Sequence, residues 1–242
     1  MTTGRPPELK NTQNDFFFLC RRAPDRLVQT VVELCQQRLP DNMGIPADQI
    51  QVLSPTRKGV CGTVNLNRAL QAALNPPAAG KHQKPWGDMV FREGDRVMQT
   101  RNNYDVVWEK DDGSMGAGIF NGDVGVIREI DPSGELITIQ FDDRTCVYTA
   151  DLLNQLDMAY AMTVHKAQGS EYRCVVLVSA AVAPALMVRG VLYTAITRAR
   201  ELLVLVGDDV APGQMAANDK QQRRYSGLRR RLREEAMSHG LQ

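Results

Sequence analysis

Residues 159–180, AYAMTVHKAQGSEYRCVVLVSA, contain a change from helical spacing to an apolar run of strand length, and the prediction of the fold starts from this change. Helical spacing extends from Leu152 to Gln168, a polar turn follows through Glu171, and an apolar run of strand length then occupies 174–180. The stretch therefore predicts a helix, a polar turn and a buried strand in succession.

The same alternation continues on both sides of this stretch. The predicted strands are 15–20, 50–54, 174–180 and 202–207, and the predicted helices are 24–39, 63–74, 152–168 and 185–200. Strands that alternate with helices predict an α/β fold, in which a parallel sheet is covered by flanking helices.

Residues 93–150 interrupt this pattern with short runs of alternating polarity that are separated by turn residues. The predicted strands here are 95–101, 124–130, 136–141 and 145–150. The segment has the size of a small β-barrel.

The composition is that of an ordinary globular chain, with 43% apolar residues, 24% charged residues and a net charge of +1. No segment approaches the roughly 18 consecutive apolar residues of a membrane span, and the N-terminus is too polar for a secretory signal. We therefore expect a cytoplasmic protein with no membrane partner. The five cysteines stand singly, without C-x-x-C spacing, so we predict neither a metal site nor a disulfide framework.

Three groups of polar residues could carry chemistry. Ser54, Thr56 and Arg57 follow a predicted strand and could bind phosphate oxygens, although they could equally form an ordinary loop. Thr163 and His165 could donate to a phosphate backbone, and Glu171 could accept from a ribose hydroxyl, or all three could be polar residues of an exposed loop.

Arg198 and Arg200 form the third group, at the end of a mostly apolar predicted helix. An arginine held there could stabilise a phosphoryl group during its transfer. The alternative is that the helix dipole favours a cation at its C-terminus, which accounts for Arg200 at least as well. The chain has no G-x-x-x-x-G-K-[ST] phosphate loop, so it cannot form a complete nucleotide site alone.

These residues carry a family resemblance. MTVHKAQGSEY (162–172) resembles motif V, and LYTAITRARE (192–201) resembles motif VI, of superfamily 1B helicases of the RecD-like type. IQVLSPTRKG (50–59), GDRVMQTRNNYD (94–105) and FNGDVG (120–125) also resemble this family, in the same order, and the likeness covers most of residues 15–235.

The resemblance implies a domain plan. A RecA-like second motor domain, 2A, would comprise 15–92 and 151–208, and an SH3-like barrel, 2B, would comprise 93–150. Residues 1–14 would be disordered or a linker, and 209–242 would form a linker and a basic C-terminal helix that either packs on domain 2A or contacts DNA. Residues 106–119 would form a hairpin tip longer than the family's usual connection.

The resemblance also implies residue roles. Arg198 would be the catalytic arginine that reaches the γ-phosphate, and Glu171, Gln168 and Gly169 would bind ATP. The DNA contacts would come from Thr163, His165, Ser54, Thr56 and Arg57.

The function implied is the C-terminal motor half of an ATP-dependent 5′ to 3′ DNA helicase. Its partners would be ATP, single-stranded DNA and a first RecA-like domain of the same polypeptide, which would supply the phosphate loop and the Mg²⁺ ligands. This chain alone would then be inactive as an enzyme. The alternative is a stand-alone nucleic-acid-binding module without ATPase activity.

Overall fold

The structure is a computed structural model that describes residue 9, residues 15–180 and 186–219, and residues 231 and 235. The strands are β1 (Phe16–Cys20), β2 (Ile50–Ser54), β3 (Gln83–Trp86), β4 (Met89–Arg92), β5 (Arg96–Gln99), β6 (Asn103–Glu109), β7 (Met115–Ile119), β8 (Val124–Ile130), β9 (Leu136–Phe141), β10 (Arg144–Thr149), β11 (Leu156–Met158), β12 (Ala161–Thr163), β13 (Tyr172–Ser179) and β14 (Ala199–Gly207). The α-helices are α1 (Pro24–Glu33), α2 (Leu39–Met43), α3 (Thr63–Leu74), α4 (Arg189–Ile196) and α5 (Ala211–Ala217). Most of the predicted basic tail helix lies outside the described residues.

The α/β part is a five-stranded sheet in the order β1-β14-β13-β2-β12, and each neighbouring pair is parallel. Alternate residues of β13 face opposite sides: Val176 joins the core that includes α1 and α3, whereas Val175 and Leu177 join the core that includes α4 and α5. Because both faces are covered, the central strands are mostly apolar, as is usual for parallel sheets. The predicted α/β fold with flanking helices is confirmed.

The β insert is a seven-stranded antiparallel sheet in the order β11-β5-β8-β9-β10-β6-β7. The ladder is irregular between Ile127 and Glu129, and such bulges bend a sheet. One face encloses Ile127, Ile139, Phe141 and Tyr148, each fully buried. The predicted strands at 124–130 and 136–141 are confirmed, and residues 106–119 form most of a further hairpin, β6 and β7. β11 belongs to this sheet although it follows residue 150.

The predicted helix at 152–168 was wrong. A 3-10 turn (Ala150–Gln155) leads into β11, which pairs with β5, and then into β12, which pairs with β2. The side chain of Asn67 holds β12 in place, because it accepts from the Ala161 N–H at 2.7 Å and donates to the Ala161 carbonyl at 2.8 Å. Long-range pairing therefore outweighs the local helical spacing.

The predicted helix at 185–200 is shorter than its spacing indicated. In the described residues α4 ends at Ile196, and Arg200 lies in β14 with an exposed side chain. A helix-dipole explanation for Arg200 is therefore wrong.

The sheets meet at a buried carboxylate, Asp95, which directly precedes β5. It accepts hydrogen bonds from Gln71 Nε2 at 2.6 Å, Asn75 Nδ2 at 2.7 Å, the Tyr160 hydroxyl at 2.9 Å and the Arg92 N–H at 2.7 Å. Burial raises the pKa of Asp95, although these four donors oppose the rise. The network ties the β insert to α3 and to the residue before β12.

Candidate nucleotide and nucleic-acid interface

The predicted site residues lie at two opposite edges of the parallel sheet. At the carboxyl edge, where β2 and β12 end, Thr163 is paired in register with Ser54. At the amino edge, where β13 and β14 begin, Tyr172 is paired with Ala199. The connection 164–171 therefore runs from the carboxyl edge to the amino edge, and it carries Gln168, Gly169 and Glu171 along the way.

Ser54 does not present its side chain to a ligand, which corrects the expected DNA contact. The residue is fully buried, and its hydroxyl donates to the Cys61 carbonyl at 2.8 Å while accepting from the Thr56 N–H at 3.3 Å. Ser54 instead closes the loop 54–62 from inside. The sequence placed it correctly at the end of a strand but could not show that its hydroxyl faces inward.

The same loop occupies the first amides of α3. Thr63 N–H donates to the Thr56 carbonyl at 3.0 Å, and Val64 N–H donates to the Arg57 carbonyl at 3.2 Å. A Cβ on Gly62 would lie 2.5 Å from the Arg57 carbonyl oxygen, so only glycine permits this close approach. Because these two amides are already bonded, the candidate ligand-binding groups at the carboxyl edge are side chains.

Two cations at the carboxyl edge share one carboxylate. Arg57 Nη2 lies 3.4 Å from Asp157 Oδ1, and Lys166 Nζ lies 3.1 Å from Asp157 Oδ2. The Arg57 side chain is 62% exposed, and Thr56, Thr163 and Lys166 are partly exposed. The sequence predicted Arg57 but missed Lys166 and Asp157, although Lys166 lies within the motif that contains His165.

The connection 164–171 begins as a tight turn. Lys166 N–H and Ala167 N–H both donate to the Thr163 carbonyl, at 3.0 and 3.2 Å. Gly169 adopts φ +89°, a conformation that favours glycine. Ala167 is buried, whereas His165, Gln168 and Glu171 are exposed, so three of the predicted site residues face solvent.

At the amino edge, Arg198 is fixed in place. Its Nη1 donates to the Ser170 carbonyl at 2.9 Å, its Nε donates to the Thr194 carbonyl at 3.1 Å, and its Nη2 donates to the Thr197 hydroxyl at 3.2 Å. A guanidinium has five N–H donors. These bonds account for three, and within the described part of the chain the other two are left for a ligand.

Arg198 is also tied to the connection through the main chain, because Tyr172 N–H donates to the Arg198 carbonyl at 2.8 Å. Glu171 lies between Ser170 and Tyr172, both of which form hydrogen bonds with Arg198. The structure therefore brings Glu171 and Arg198 to the same edge, and their roles toward ATP stay predictions.

A cleft of about 610 Å³ lies beside the carboxyl edge, and sequence reasoning missed it. Its walls are α3, β12 and the hairpin of β3 and β4, and they include Arg57, Arg68, Trp86 and Lys166. None of the predicted strands covers residues 83–92, although the turn residues in KPWGDM (84–89) favour such a hairpin.

Metal-ligating clusters and membrane-spanning helices are both absent from the described residues. Nowhere in residues 15–180 and 186–219 do three or more His, Cys, Asp or Glu side chains come together as a metal site would require. No helix in the described part of the chain has both the length and the apolar character needed to cross a bilayer.

Comparison with known proteins matches both parts of the chain. Residues 66–141 match the family model of the ATP-dependent RecD-like DNA helicase SH3 domain, and residues 158–206 match that of the UvrD-like helicase C-terminal domain. A crystal structure of Bacteroides Pif1 bound to single-stranded DNA covers 90% of this chain and 51% of that chain, at 15% identity and a TM-score of 0.44.

Two curated relatives align with most of the chain. It is 35% identical over 76% of its length to the ATP-dependent RecD2 DNA helicase of Deinococcus radiodurans, and 31% identical over 76% of its length to the RecBCD enzyme subunit RecD of Mycobacterium tuberculosis. The chain spans 23% and 29% of the lengths of these two proteins.

The chain combines a parallel sheet with matches to a RecD-like SH3 domain and to a UvrD-like helicase C-terminal domain. This combination defines the class of protein, which is the C-terminal region of a helicase motor. Within that class, the chain belongs to the RecD-like helicases. The resemblance drawn from motifs V and VI is confirmed.

Proposed function

We propose that this chain is the C-terminal motor half of an ATP-dependent DNA helicase, and that its two sheet edges bind different ligands. The amino edge would contact ATP and the carboxyl edge would contact single-stranded DNA. One observation carries the proposal: the connection 164–171 starts beside Thr163 at one edge and is bonded to Arg198 at the other. The short connection 164–171 therefore joins the two proposed sites.

On the ATP side, Arg198 contacts the γ-phosphate with its two remaining N–H groups and stabilises the charge of the transition state. Exposed Glu171 accepts from the ribose, and Gln168 and Gly169 lie at the turn beside it. A first RecA-like domain of the same polypeptide provides the phosphate loop that this sequence lacks.

Mg²⁺ would neutralise phosphate charge when bound with ATP. As the resemblance implies, its ligands are assigned to the first RecA-like domain in this proposal, and no residue of this chain is assigned to it.

On the DNA side, Arg57, Thr56, Thr163 and His165 contact the phosphate backbone, and Lys166 joins them. Contacts of this type position a strand without reading its sequence. Ser54 contributes indirectly, because its buried hydroxyl holds the loop that carries Thr56 and Arg57.

The two sides are coupled through cleft closure. Arg198 contacts the γ-phosphate only before hydrolysis, so the domains close on ATP and reopen afterwards. Each closure moves the carboxyl edge relative to the first domain, and repeated cycles give translocation in the proposed 5′ to 3′ direction.

The proposal predicts that this chain alone binds single-stranded DNA but does not hydrolyse ATP. The measurements are anisotropy of a labelled oligonucleotide at several salt concentrations and a phosphate-release assay with DNA present. Hydrolysis by this chain alone would contradict the shared ATP site.

The second candidate, a binding module without ATPase activity, is favoured by the missing G-x-x-x-x-G-K-[ST]. The decisive observation is the encoded sequence that precedes residue 1. A phosphate loop followed by a helicase first domain supports the motor proposal, and its absence supports the module.

A further inference from the structure

The cleft beside the carboxyl edge is lined mainly by α3, β12 and the hairpin of β3 and β4. α3 and β12 form one wall, and the hairpin Gln83–Arg92 forms the other. Its volume of about 610 Å³ is within the range of small-ligand sites. Thr163 and Arg57, both assigned to DNA in the proposed function, also line the cleft, so it shares residues with that surface.

Trp86 is the aromatic residue of this cleft. The hairpin turns tightly at Gly87, which has φ +56°, and Trp86 immediately precedes the turn. Its half-buried side chain packs against the main apolar core and also lines the cleft. An indole supported by a core and open on a cleft suits stacking, because little side-chain freedom remains to be lost on binding.

Cations line the same cleft as the indole. Arg57 and Lys166 come from the carboxyl edge, and exposed Arg68 comes from α3. The acidic lining residues are Asp88 and Asp157, and Asp157 already pairs with both Arg57 and Lys166. An aromatic ring and cations that line one cleft are the combination that binds single-stranded nucleic acid without sequence preference.

We propose that this cleft binds one nucleobase of single-stranded DNA by stacking on Trp86, while Arg57, Arg68 and Lys166 bind the flanking phosphates. The inference rests on the proposed DNA-binding function and adds a base-contacting residue to it. Stacking accepts any base, because every base has a π face. Trp86 thus holds the strand beside Thr163 without reading its sequence.

The test uses tryptophan fluorescence, since the chain has only two tryptophans, Trp86 and Trp108. Trp108 lies on β6 and lines a separate cavity. In a Trp108→Phe variant the remaining tryptophan is Trp86, and a (dT) oligonucleotide should quench its fluorescence to a saturating level. In the matched Trp86→Phe variant, the same titration should leave the Trp108 signal unchanged while anisotropy still reports binding.

The affinity measurement compares Trp86→Ala with Trp86→Phe. Loss of the ring should weaken oligonucleotide binding by roughly 5- to 150-fold, and phenylalanine should restore most of it. Far-UV circular dichroism checks that each variant is folded, and the phenylalanine variant keeps the test valid if the alanine variant unfolds.

The outcomes separate this inference from the function on which it rests. Salt-dependent binding without Trp86 quenching, and with unchanged affinity in Trp86→Phe and Trp86→Ala, overturns only the stacking site. If no variant and no parent chain binds the oligonucleotide, both the stacking site and the DNA-binding proposal fail.

Discussion

At the amino edge of the parallel sheet, Arg198 is fixed by hydrogen bonds to Ser170, Thr194 and Thr197. At the carboxyl edge, Arg57 is 62% exposed and pairs with Asp157 across 3.4 Å. Exposed pairs of this kind contribute little energy and restrict the side chain weakly. One arginine is therefore held before any ligand binds, and the other is free to follow a ligand.

This difference matches the two proposed tasks. Stabilising a transition state needs charge in a fixed position, because reorganisation during the reaction reduces catalysis. Holding a moving DNA backbone needs cations that exchange one phosphate for the next. Each arginine is thus held to the degree that its proposed role requires.

The largest expected effect comes from removing the fixed arginine. In the full-length protein, Arg198→Ala should lower ATP turnover by roughly 10³-fold or more while single-stranded DNA binding stays nearly unchanged. Arg198→Lys should be almost as slow, because lysine keeps the charge but cannot make the same three bonds. The measurement is steady-state ATP turnover at saturating DNA.

Arg200→Ala is the matched control, because this neighbouring arginine is exposed on β14. It should retain most of the turnover. Normal turnover with weakened DNA binding in Arg198→Ala would reverse the assignment of the two edges.

A smaller effect is expected at Asp95, whose partner Tyr160 directly precedes β12 and so helps to hold the carboxyl edge. Asp95→Ala should lower the free energy of unfolding by about 3–5 kcal/mol, because it leaves several buried donors without an acceptor. Urea denaturation measures this change. Asp88→Ala, at an exposed position, should change it little.

The raised pKa of Asp95 also predicts that the free energy of unfolding depends on pH. Burial raises the pKa of Asp95 in the folded state above its ordinary value, so the native protein binds this proton more tightly than the unfolded chain. The resulting stabilisation is complete below the unfolded-state pKa of about 3.9 and is lost as pH rises through the folded-state pKa. In Asp95→Asn this decrease in stability with rising pH should be absent, and an unchanged profile would contradict the assignment.

The smallest effect concerns the loosely held cations. The double variant Arg57→Ala/Lys166→Ala should weaken single-stranded DNA binding by about tenfold and reduce the slope of log K against log salt by about 1.4 for two lost phosphate contacts. Asp157→Asn should strengthen binding by a few-fold, because it releases both cations. Oligonucleotide anisotropy across a salt series checks both, and weaker binding in Asp157→Asn would show that Asp157 positions the cations for DNA instead of competing with it.

The sequence predicted strands β8 and β9 well and residues 152–168 poorly. β8 and β9 have the predicted bounds, since a strand with one buried face shows its period of two locally. Residues 152–168 failed because β11 and β12 are each three residues long and pair with different sheets. The alternation of Leu156, Met158, Tyr160 and Met162 was present but was masked by the alanines between them.

The candidate site likewise contains residues that the sequence indicated and residues that it missed. The resemblance to motifs V and VI singled out Thr163, Glu171 and Arg198, and their roles stay predictions. Trp86, Arg68 and Asp157 were missed, because their importance depends on what they face across the cleft.

By itself, the sequence determined the parallel α/β fold, the β insert and the residue types at each strand end, since apolar periodicity and turn residues act over a few positions. Only the tertiary structure decided that Ser54 faces inward, that Arg198 is fixed, and that Arg57 meets Asp157, one hundred residues later in the chain. The physical reason is that hydrogen bonding and burial of a side chain depend on strands that are distant in sequence and adjacent in the sheet.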